Sequence, residues 1–402
     1  GDYAAVGSVG PIINILIGLF SGFASGAGVI ISRYFGAGDK KGVEKAVHTS
    51  MMLTAILCVI FTVAGVISAP GMLDLMLDSE RAGYSEMFGA GKTYLTIYFA
   101  GVSGLLIYNM GAGIMRAVGD STRPLYFLIV CAIANTCLDF LFVFKFKMGV
   151  AGAAVATVIS QAVSCIWVLR FLSGPKAILP LQIRQVHVCT DLLKDILSLG
   201  VVGFIMKFTN SLVQIACNKM LSIHGGDLYV GVMTVINAIR DVFTLPASGI
   251  TDGARPVLSY NYGAGQMQRV RAGIRFMSAA AMVYTFCAWM FQPRLLCRIF
   301  TPDEAMVEAS VRMLRVYFAG FFFQSFQFCG QSVFQSLGWA KYAITFSLLR
   351  KVVIVVPLTL LLPVVGLGTT GVFLAEPISN IVGGLACYIT MLCTAYKQMG
   401  RE

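Results

Sequence analysis

Charged residues are scarce in this sequence. Asp, Glu, Lys and Arg together make up only 12% of its 402 residues, about half of the share that a soluble globular chain carries. Hydrophobic residues account for 57%, and the mean hydropathy is +0.80. This composition argues against a soluble enzyme, a nucleic-acid-binding domain and a disordered regulator, and it predicts a polytopic membrane protein.

Motifs for metal binding, disulfide scaffolds and hydrolysis are also missing from the sequence. The 11 cysteines form no CxxC pair, and the three histidines, His48, His187 and His224, belong to no metal-binding motif. No HExxH or GxSxG string occurs. We therefore predict that the protein is not an enzyme and has no cofactor.

Eleven apolar stretches are each long enough to cross a bilayer, which takes about 20 mostly apolar residues. They predict an all-α fold with spans at 5–33, 47–69, 93–116, 124–145, 149–172, 195–219, 228–250, 272–293, 308–338, 342–363 and 368–394. The connections are short, except for 173–194. We predict that this segment is a cytoplasmic linker between an N-terminal lobe, 1–172, and a C-terminal lobe, 195–402.

The positive charges are distributed unevenly over the two sides of the predicted membrane. Alternate connections place 19 Lys and Arg residues on one side, Arg350 and Lys351 among them, and 7 on the other. Because cytoplasmic loops carry the excess of Lys and Arg, the C-terminus is predicted to be cytoplasmic. The net charge of +11 is then loop charge, and no nucleic-acid partner is expected.

Two internal repeats relate the halves of the chain. Residues 31–38 recur as 258–265, an offset of 227, and residues 159–161 recur as 378–380, an offset of 219. Repeats of this size are typical of transporter halves that are related by pseudo-symmetry.

The sixth predicted span has no counterpart in the first half of the chain. We therefore expect two pseudo-symmetric six-helix lobes, of which the first is one helix short. Glycines at four-residue spacing in the first span indicate that a neighbouring helix approaches closely. Without the first helix, a groove should expose these glycines, which are Gly18, Gly22 and Gly26.

Ionisable residues within a span are rare because each costs about 2.5–3.5 kcal/mol at the middle of a membrane on insertion scales. Asp139 is one of them, and it shares a helical face with Asn135, four residues earlier. Thr157 and Gln161 share a face of the next helix in the same way. Their oxygen atoms suit a sodium ion, whereas a desolvated Asp139 carboxylate could carry a proton instead. A structural role for Asp139 between helices is the alternative.

Glu376 and Asn380 lie 219 residues after Thr157 and Gln161. Glu376 is therefore a candidate for a second proton site or a substrate-cation site. We expect its carboxyl to face the interior of the C-terminal lobe or the central cavity and to be neutralised by a proton. The alternative is a carboxylate that is bonded to polar neighbours.

Three further charges lie within the spans of the C-terminal half. Arg240 and Asp241 are adjacent, so they are not expected to face each other on a helix. Lys207 is then the candidate partner of Asp241, and the trio is either a structural charge network or part of a site. Neutral hydrogen-bonding side chains that could line a cavity are Asn210, Gln214, Gln324 and Gln327.

Several of these residues stand in motifs that resemble those of the bacterial multidrug and toxin extrusion (MATE) transporters. The motifs are Ser32–Asp39, Asn135 with Asp139, Gly152–Gln161, Arg255–Pro256 and Gly263–Gly265. The resemblance implies two six-helix lobes around a central cavity that opens to alternate sides. It also implies antiport, in which organic and often cationic compounds leave in exchange for protons or sodium ions. In this pattern Asn135, Asp139 and Thr157 match positions of the cation site in the first lobe.

The resemblance further implies a multi-pass protein of the bacterial plasma membrane. Its expected partners are membrane lipid and small xenobiotic molecules, and we expect a monomer. A flippase for a lipid-linked precursor is an alternative, because related folds perform that reaction, but its cavity should be strongly cationic. An intramembrane enzyme is a more distant alternative, because the sequence offers no catalytic set.

Overall fold

The computed structural model describes residues 2–76, 84–174, 189–290 and 293–400. Within these ranges the chain is almost entirely helical, and none of the described residues lies in a β-strand. The predicted all-α fold is therefore confirmed. The chain divides into two compact units, Gly1–Phe204 and Ile205–Glu402.

The first unit is built from long apolar helices. They are α1 (Asp2–Gly36), α2 (Lys40–Met76), α3 (Tyr84–Ala100), α4 (Val102–Ala117), α5 (Thr122–Asp139), α6 (Gly149–Leu172) and the start of α7 (Thr190–Gly263). The α5 helix continues as a π-helical stretch, Phe140–Lys145. The core of this unit includes Phe20 from α1 and Leu95 and Phe99 from α3.

The second unit begins within α7 and is also helical. Its other helices are α8 (Met267–Trp289), α9 (Pro293–Phe300), α10 (Glu304–Phe318), α11 (Phe321–Ser336), α12 (Ala340–Leu348), α13 (Val356–Leu362) and α14 (Gly368–Met391). The π-helical stretch Leu349–Val355 joins α12 to α13, Pro363–Leu367 follows α13, and Leu392–Tyr396 follows α14.

Glycines interrupt the longest helical stretches. Gly226 has φ +66°, so the 74 residues of α7 form two helices that meet at this residue. Gly366, with φ +104°, makes a similar turn before α14. These turns separate the predicted spans 195–219 and 228–250, and likewise 342–363 and 368–394. A positive φ is accessible to glycine without the steric cost that other residues pay.

Several of the described helices match the length and composition of membrane spans. Six helical stretches are long and apolar enough to cross a membrane, and the pair α3–α4, bent by 47°, would be a seventh. Two of the six, α7 and residues 340–396, contain the glycine turns and are long enough for two spans each. The polytopic architecture is therefore confirmed.

The boundary between the two units lies within α7, after Phe204. The predicted lobes, 1–172 and 195–402, place this boundary earlier in the chain. Most of the predicted linker 173–194 lies outside the described residues, namely its positions 175–188. The observed boundary is later because the first turns of α7 pack against α1.

Glycines form the contact between α1 and α7. A Cβ atom at Gly22 would lie 2.5 Å from the carbonyl oxygen of Gly200, and one at Gly26 would lie 2.8 Å from that of Ile196. Gly18, Gly22 and Gly26 are all buried. The expectation that these glycines are exposed in a groove is therefore wrong, because α7 is the neighbour that covers them.

The 227-residue repeat is visible at the ends of the helices. Gly38 and Gly265 make equivalent turns with φ of +71° and +70°. Near these turns, Ser32 Oγ donates to the carbonyl oxygen of Ala117 at 2.9 Å, and Ser259 Oγ donates to that of Ser336 at 2.9 Å. In each unit, the helix that carries the repeat is therefore bonded in the same way to the end of another helix, α4 in the first unit and α11 in the second.

The 219-residue repeat marks the breaks in two helix pairs. The same four residues, Tyr-Phe-Ala-Gly, end at Gly101 between α3 and α4 and at Gly320 between α10 and α11. A Cβ atom at Gly101 would lie 2.3 Å from Cγ1 of Val158, and one at Gly320 would lie 2.6 Å from Cα of Pro377. Val158 and Pro377 are themselves 219 residues apart, so the close packing at the break is repeated.

The contact between α1 and α7 yields a first prediction. Gly22→Ala inserts a methyl group against the Gly200 backbone, and such overpacking typically costs about 1–3 kcal/mol. We expect the melting temperature of the detergent-solubilised protein to fall by roughly 3–8 °C. The readout is the exposure of buried cysteines to a thiol-reactive dye on heating. Gly71→Ala in α2 is the matched control, because its Cβ would meet no atom within 4 Å; an equal response of both variants would contradict the glycine contact.

Candidate functional site

Asn135 on α5 contacts Thr157 on α6 within the first unit. Asn135 Nδ2 donates a hydrogen bond of 3.4 Å to Thr157 Oγ1, which in turn donates to the carbonyl oxygen of Ala153 at 3.0 Å. Both side chains are half-buried. The structure thus brings together two of the three residues that the sequence proposes for a cation site.

Asp139 lies one helical turn beyond Asn135, at the point where α5 becomes π-helical. It is half-buried, and its Oδ1 atom is buried without a hydrogen-bond partner among the described residues. The Tyr94 hydroxyl on α3 lies close to Thr157 and within electrostatic range of the Asp139 carboxylate. Asp139 therefore belongs to the same polar cluster, and no described cation compensates its charge.

Gln161 extends this cluster by one turn along α6. Its Oε1 atom and the hydroxyl oxygen of Tyr98 are both buried without a hydrogen-bond partner among the described residues. The two side chains lie close to each other. A buried polar atom without a partner costs about 1–3 kcal/mol, and more if it is charged. The cluster thus offers several acceptor oxygens that a proton or a cation could satisfy.

The donor set of this cluster limits the ions that it could bind. No group of three or more His, Cys, Asp or Glu side chains in the described part of the chain is placed to hold a metal ion. A sodium ion at Asp139 would rest on one carboxylate and on the neutral oxygens of Asn135 and Thr157. One negative charge with neutral oxygens fits a monovalent hard cation or a proton.

The second unit contains a different polar cluster, centred on Glu376 in α14. Lys351 Nζ donates to Glu376 Oε1 at 2.8 Å, and Arg350 Nη1 donates to the same oxygen at 3.2 Å. Arg350 Nη1 also donates to Asn380 Oδ1, and Ser379 Oγ donates to the Arg350 carbonyl oxygen at 3.3 Å. The side chains of Arg350, Lys351 and Glu376 are 8%, 6% and 6% exposed, so the ion pairs are buried.

This geometry corrects the prediction for Glu376. The residue faces the interior of its unit, but two cations rather than a proton compensate its carboxylate. Arg350 lies ten residues into the stretch that starts at Ala340, about 15 Å along a helix. The assignment of Arg350 and Lys351 to a cytoplasmic connection is therefore also wrong. Their removal leaves 17 charges against 7, so the bias in loop charge persists.

Sequence reasoning missed Arg350 and Lys351 as candidate site residues. The signal was available, because residues 343–365 contain no other charged side chain. Two adjacent cations inside such a run interrupt one apolar span. Adjacent residues on an α-helix point in different directions, but both side chains are long, and they start from a π-helical stretch. Such stretches are frequent at functional sites.

Arg240 and Asp241 interact with each other, contrary to the prediction. Arg240 Nη2 lies 2.9 Å from Asp241 Oδ1, and Arg240 Nη1 donates to the Tyr317 hydroxyl at 3.3 Å. The long guanidinium side chain folds back along the helix, so adjacency does not prevent the pair. The predicted pairing of Lys207 with Asp241 is wrong, because Lys207 is exposed and makes no such contact.

The neutral side chains that were proposed to line a cavity fall into two groups. Asn210 and Gln214 are exposed on α7. Gln324 and Gln327 are buried on α11, where Gln327 Nε2 donates to the Phe346 carbonyl oxygen at 3.5 Å. Gln327 thus links α11 to α12. The structure does not bring these four residues together into one lining.

The two polar clusters occupy equivalent positions of the 219-residue repeat. The equivalent pairs are Tyr98 and Tyr317, Thr157 and Glu376, and Gln161 and Asn380. The charges do not correspond, since the counterpart of Asp139 is Leu358. The first unit therefore has a carboxylate among neutral oxygens, and the second unit has a carboxylate that already holds two cations.

Comparison with known proteins identifies relatives along most of the chain. The MatE family model matches residues 2–141 and 204–361, well over half of the sequence. The chain is 27% identical over 267 residues to a probable multidrug resistance protein of Bacillus subtilis, YpnP; this match covers 66% of the chain and 58% of YpnP. It is 22% identical over 385 residues to the multidrug export protein MepA of Staphylococcus aureus, which covers 94% of the chain and 84% of MepA.

Solved structures share the fold. A crystal structure of a MATE protein in the bent conformation superposes with a TM-score of 0.92 at 23% identity, and the match covers 99% of this chain and 89% of that one. The outward-facing conformation of a multidrug resistance MATE family transporter gives a TM-score of 0.91 at 23% identity, covering 98% and 88%. At this level of identity the likeness concerns the fold.

The ion pairs of Glu376 yield a second prediction. Glu376→Gln leaves two buried cations without a carboxylate, and breaking a buried ion pair from one side typically costs about 3–5 kcal/mol. We therefore expect a strong loss of folded protein on heating in detergent. Adding Lys351→Met to Glu376→Gln should restore part of the lost stability, because one uncompensated charge is removed. Equal melting temperatures for wild type and Glu376→Gln would contradict a buried charge at this position.

Proposed function

This chain belongs to the MatE family of membrane transporters, and on that premise we propose that it exports small organic compounds in exchange for a proton or a sodium ion. The names of its relatives, multidrug resistance and multidrug export proteins, support a drug-like substrate class. The proposed location is the bacterial plasma membrane, with the C-terminus in the cytoplasm and lipid around the apolar helix faces.

The environment of the Asp139 carboxylate is the observation that supports the coupling proposal. Its Oδ1 atom is buried without a hydrogen-bond partner among the described residues. Asn135 and Thr157, which contact each other, belong to the same polar cluster of the first unit. A carboxylate in this position is costly when it is charged and alone. It is tolerated when it is protonated or bound to sodium. The occupancy of Asp139 therefore changes the energy of the conformation in which the site is closed.

Antiport requires this kind of difference between states. A ligand shifts a conformational equilibrium only through its differential affinity for the two conformations. If Asp139 is buried in one state and hydrated in the other, a cation favours the buried state. Export then follows when a substrate competes with the cation, so that one occupant leaves as the other binds.

The flippase alternative depends on cations that a ligand can reach. Arg350 and Lys351 add two positive charges to those recognised in the sequence. Both are buried and paired with Glu376, and Arg350 also donates to Asn380. These contacts engage both cations inside the protein, where a ligand does not reach them. The export function is therefore better supported than the flippase function.

Asp139→Asn tests the coupling proposal. The substitution keeps the size of the side chain and removes both the charge and the titratable proton. We expect export of a fluorescent organic cation from proteoliposomes, driven by a proton or sodium gradient, to fall by at least about tenfold. Asp227→Asn is the matched control, because Asp227 is exposed. Wild-type export by well-folded Asp139→Asn protein would overturn the proposal.

The neighbours of Asp139 separate the two coupling ions. A sodium ion needs the oxygens of Asn135 and Thr157 as ligands, whereas a proton needs only the carboxylate. If sodium is the coupling ion, Thr157→Val should lower sodium-driven export severalfold and raise the sodium concentration for half-maximal rate. If the proton is the coupling ion, Thr157→Val should change export driven by a pH gradient only a little. The measurement is the export rate under each gradient with the other ion balanced.

A further inference from the structure

The buried polar cluster of the second unit has one more positive than negative charge. Asp241 pairs with Arg240 at 2.9 Å, so these two charges balance. Glu376 remains to balance both Arg350 and Lys351, which contact the same carboxylate oxygen. All three of these side chains are nearly inaccessible. A buried charge without compensation is expensive. The cluster becomes electrically neutral only when one of its groups loses a proton.

Lys351 is the residue that can release this proton. A guanidinium does not lose its proton in proteins, so Arg350 and Arg240 stay charged. A proton on Glu376 would increase the excess of positive charge. A buried lysine, in contrast, readily changes its protonation state. With Lys351 neutral, Arg350 and Glu376 form a balanced pair that Asn380 supports through its contact with Arg350.

The other groups that face Lys351 do not supply the missing negative charge. From α7, Arg240 and Cys217 lie within electrostatic range of Lys351. Asp241 is the partner of Arg240, and Tyr317 of α10 lies near Glu376. Tyr317 accepts a hydrogen bond from Arg240, and Cys217 Sγ lies 3.9 Å from Thr359 Oγ1 on α13.

Two further groups complete the surroundings of this cluster. From α14, besides Glu376, Cys387 lies near Arg350. On α12 the titratable side chains, Lys341 and Tyr342, are exposed near the start of the helix. Thiols and phenols are neutral at physiological pH. Glu376 is therefore the single buried anion that faces Lys351 among the described residues.

We propose that Lys351 releases and rebinds a proton during the transport cycle, as a second proton site that is separate from Asp139. In this step an N–H bond of the ammonium group breaks, the proton passes to solvent, and the lone pair stays on Nζ. Arg350 keeps its contacts with Glu376 and Asn380, so the cluster stays assembled. The part of Lys351 in transport rests on the proposed function, whereas its titration does not.

The titration can be measured without transport. The probe is the protein in lipid nanodiscs with [ε-13C]lysine, followed by NMR from pH 5 to pH 11. Exposed lysines titrate at about pH 10.4. We expect one lysine signal to change its shift at a clearly lower pH than all the others. Lys351 is the one buried lysine among the described residues, so this signal should be resolved.

Two variants assign the signal. Lys351→Met removes the excess charge from the cluster, so it should fold and should lack the early-titrating signal. Lys341→Arg is the matched control on the same helical stretch, because Lys341 is exposed; it should lose one late-titrating signal and keep the early one. If every lysine signal of the wild type titrates near pH 10, Lys351 stays charged and the proposal is overturned.

Transport stoichiometry tests the role of the proton. Lys351→Arg keeps the positive charge but cannot release a proton, so a purely structural cation would be replaced without effect. We expect the number of protons moved per exported substrate to fall by one, as measured from the reversal of transport at balanced gradients. An unchanged ratio would overturn the role in transport. If the wild-type protein does not export, the proposed function fails, and the lysine titration still decides whether Lys351 is a proton site.

Discussion

Each unit of this protein must compensate a carboxylate that lies among apolar helices. An isolated buried charge is too expensive to persist, so it is paired, hydrogen-bonded or neutralised. The second unit pairs Glu376 with Arg350 and Lys351 through direct contacts at 3.2 and 2.8 Å. The first unit surrounds Asp139 with neutral oxygens, and one oxygen of that carboxylate has no partner among the described residues. The two solutions give the units different chemistry.

This difference determines which cluster can respond to an ion in the surroundings. A carboxylate that already contacts a guanidinium and an ammonium gains little from a further cation, because its negative charge is more than balanced. The Asp139 carboxylate has neutral neighbours, so a cation or proton changes its energy strongly. Coupling to an external cation is therefore expected in the first unit. Proton coupling in the second unit would act through Lys351, because the guanidinium groups of Arg350 and Arg240 keep their protons.

Much of the fold could be predicted from the sequence, because apolar length and repeats are direct consequences of membrane insertion. The site could be predicted only in part. Helical spacing placed Asn135 with Asp139 on one helix and Thr157 with Gln161 on the next, and the family resemblance joined Asn135 to Thr157, which contact each other in the structure. Arg350 and Lys351 were missed because counting Lys and Arg along the sequence does not distinguish a charge in a loop from a charge that is buried and paired. Contacts of long side chains, such as Arg240 with its neighbour Asp241, escape rules that are based on the backbone.

The repeat explains why the two clusters occupy equivalent places although their charges differ. The breaks at Gly101 and Gly320 are kept because a side chain there would meet Val158 or Pro377 within 2.3–2.6 Å. Backbone packing of this kind constrains both copies alike. The charged positions are under no such constraint, and the counterparts of Arg350 and Lys351 are the neutral residues Cys131 and Ala132. A duplicated helical frame can therefore keep its geometry while one copy pairs its carboxylate with two cations and the other surrounds its carboxylate with neutral oxygens.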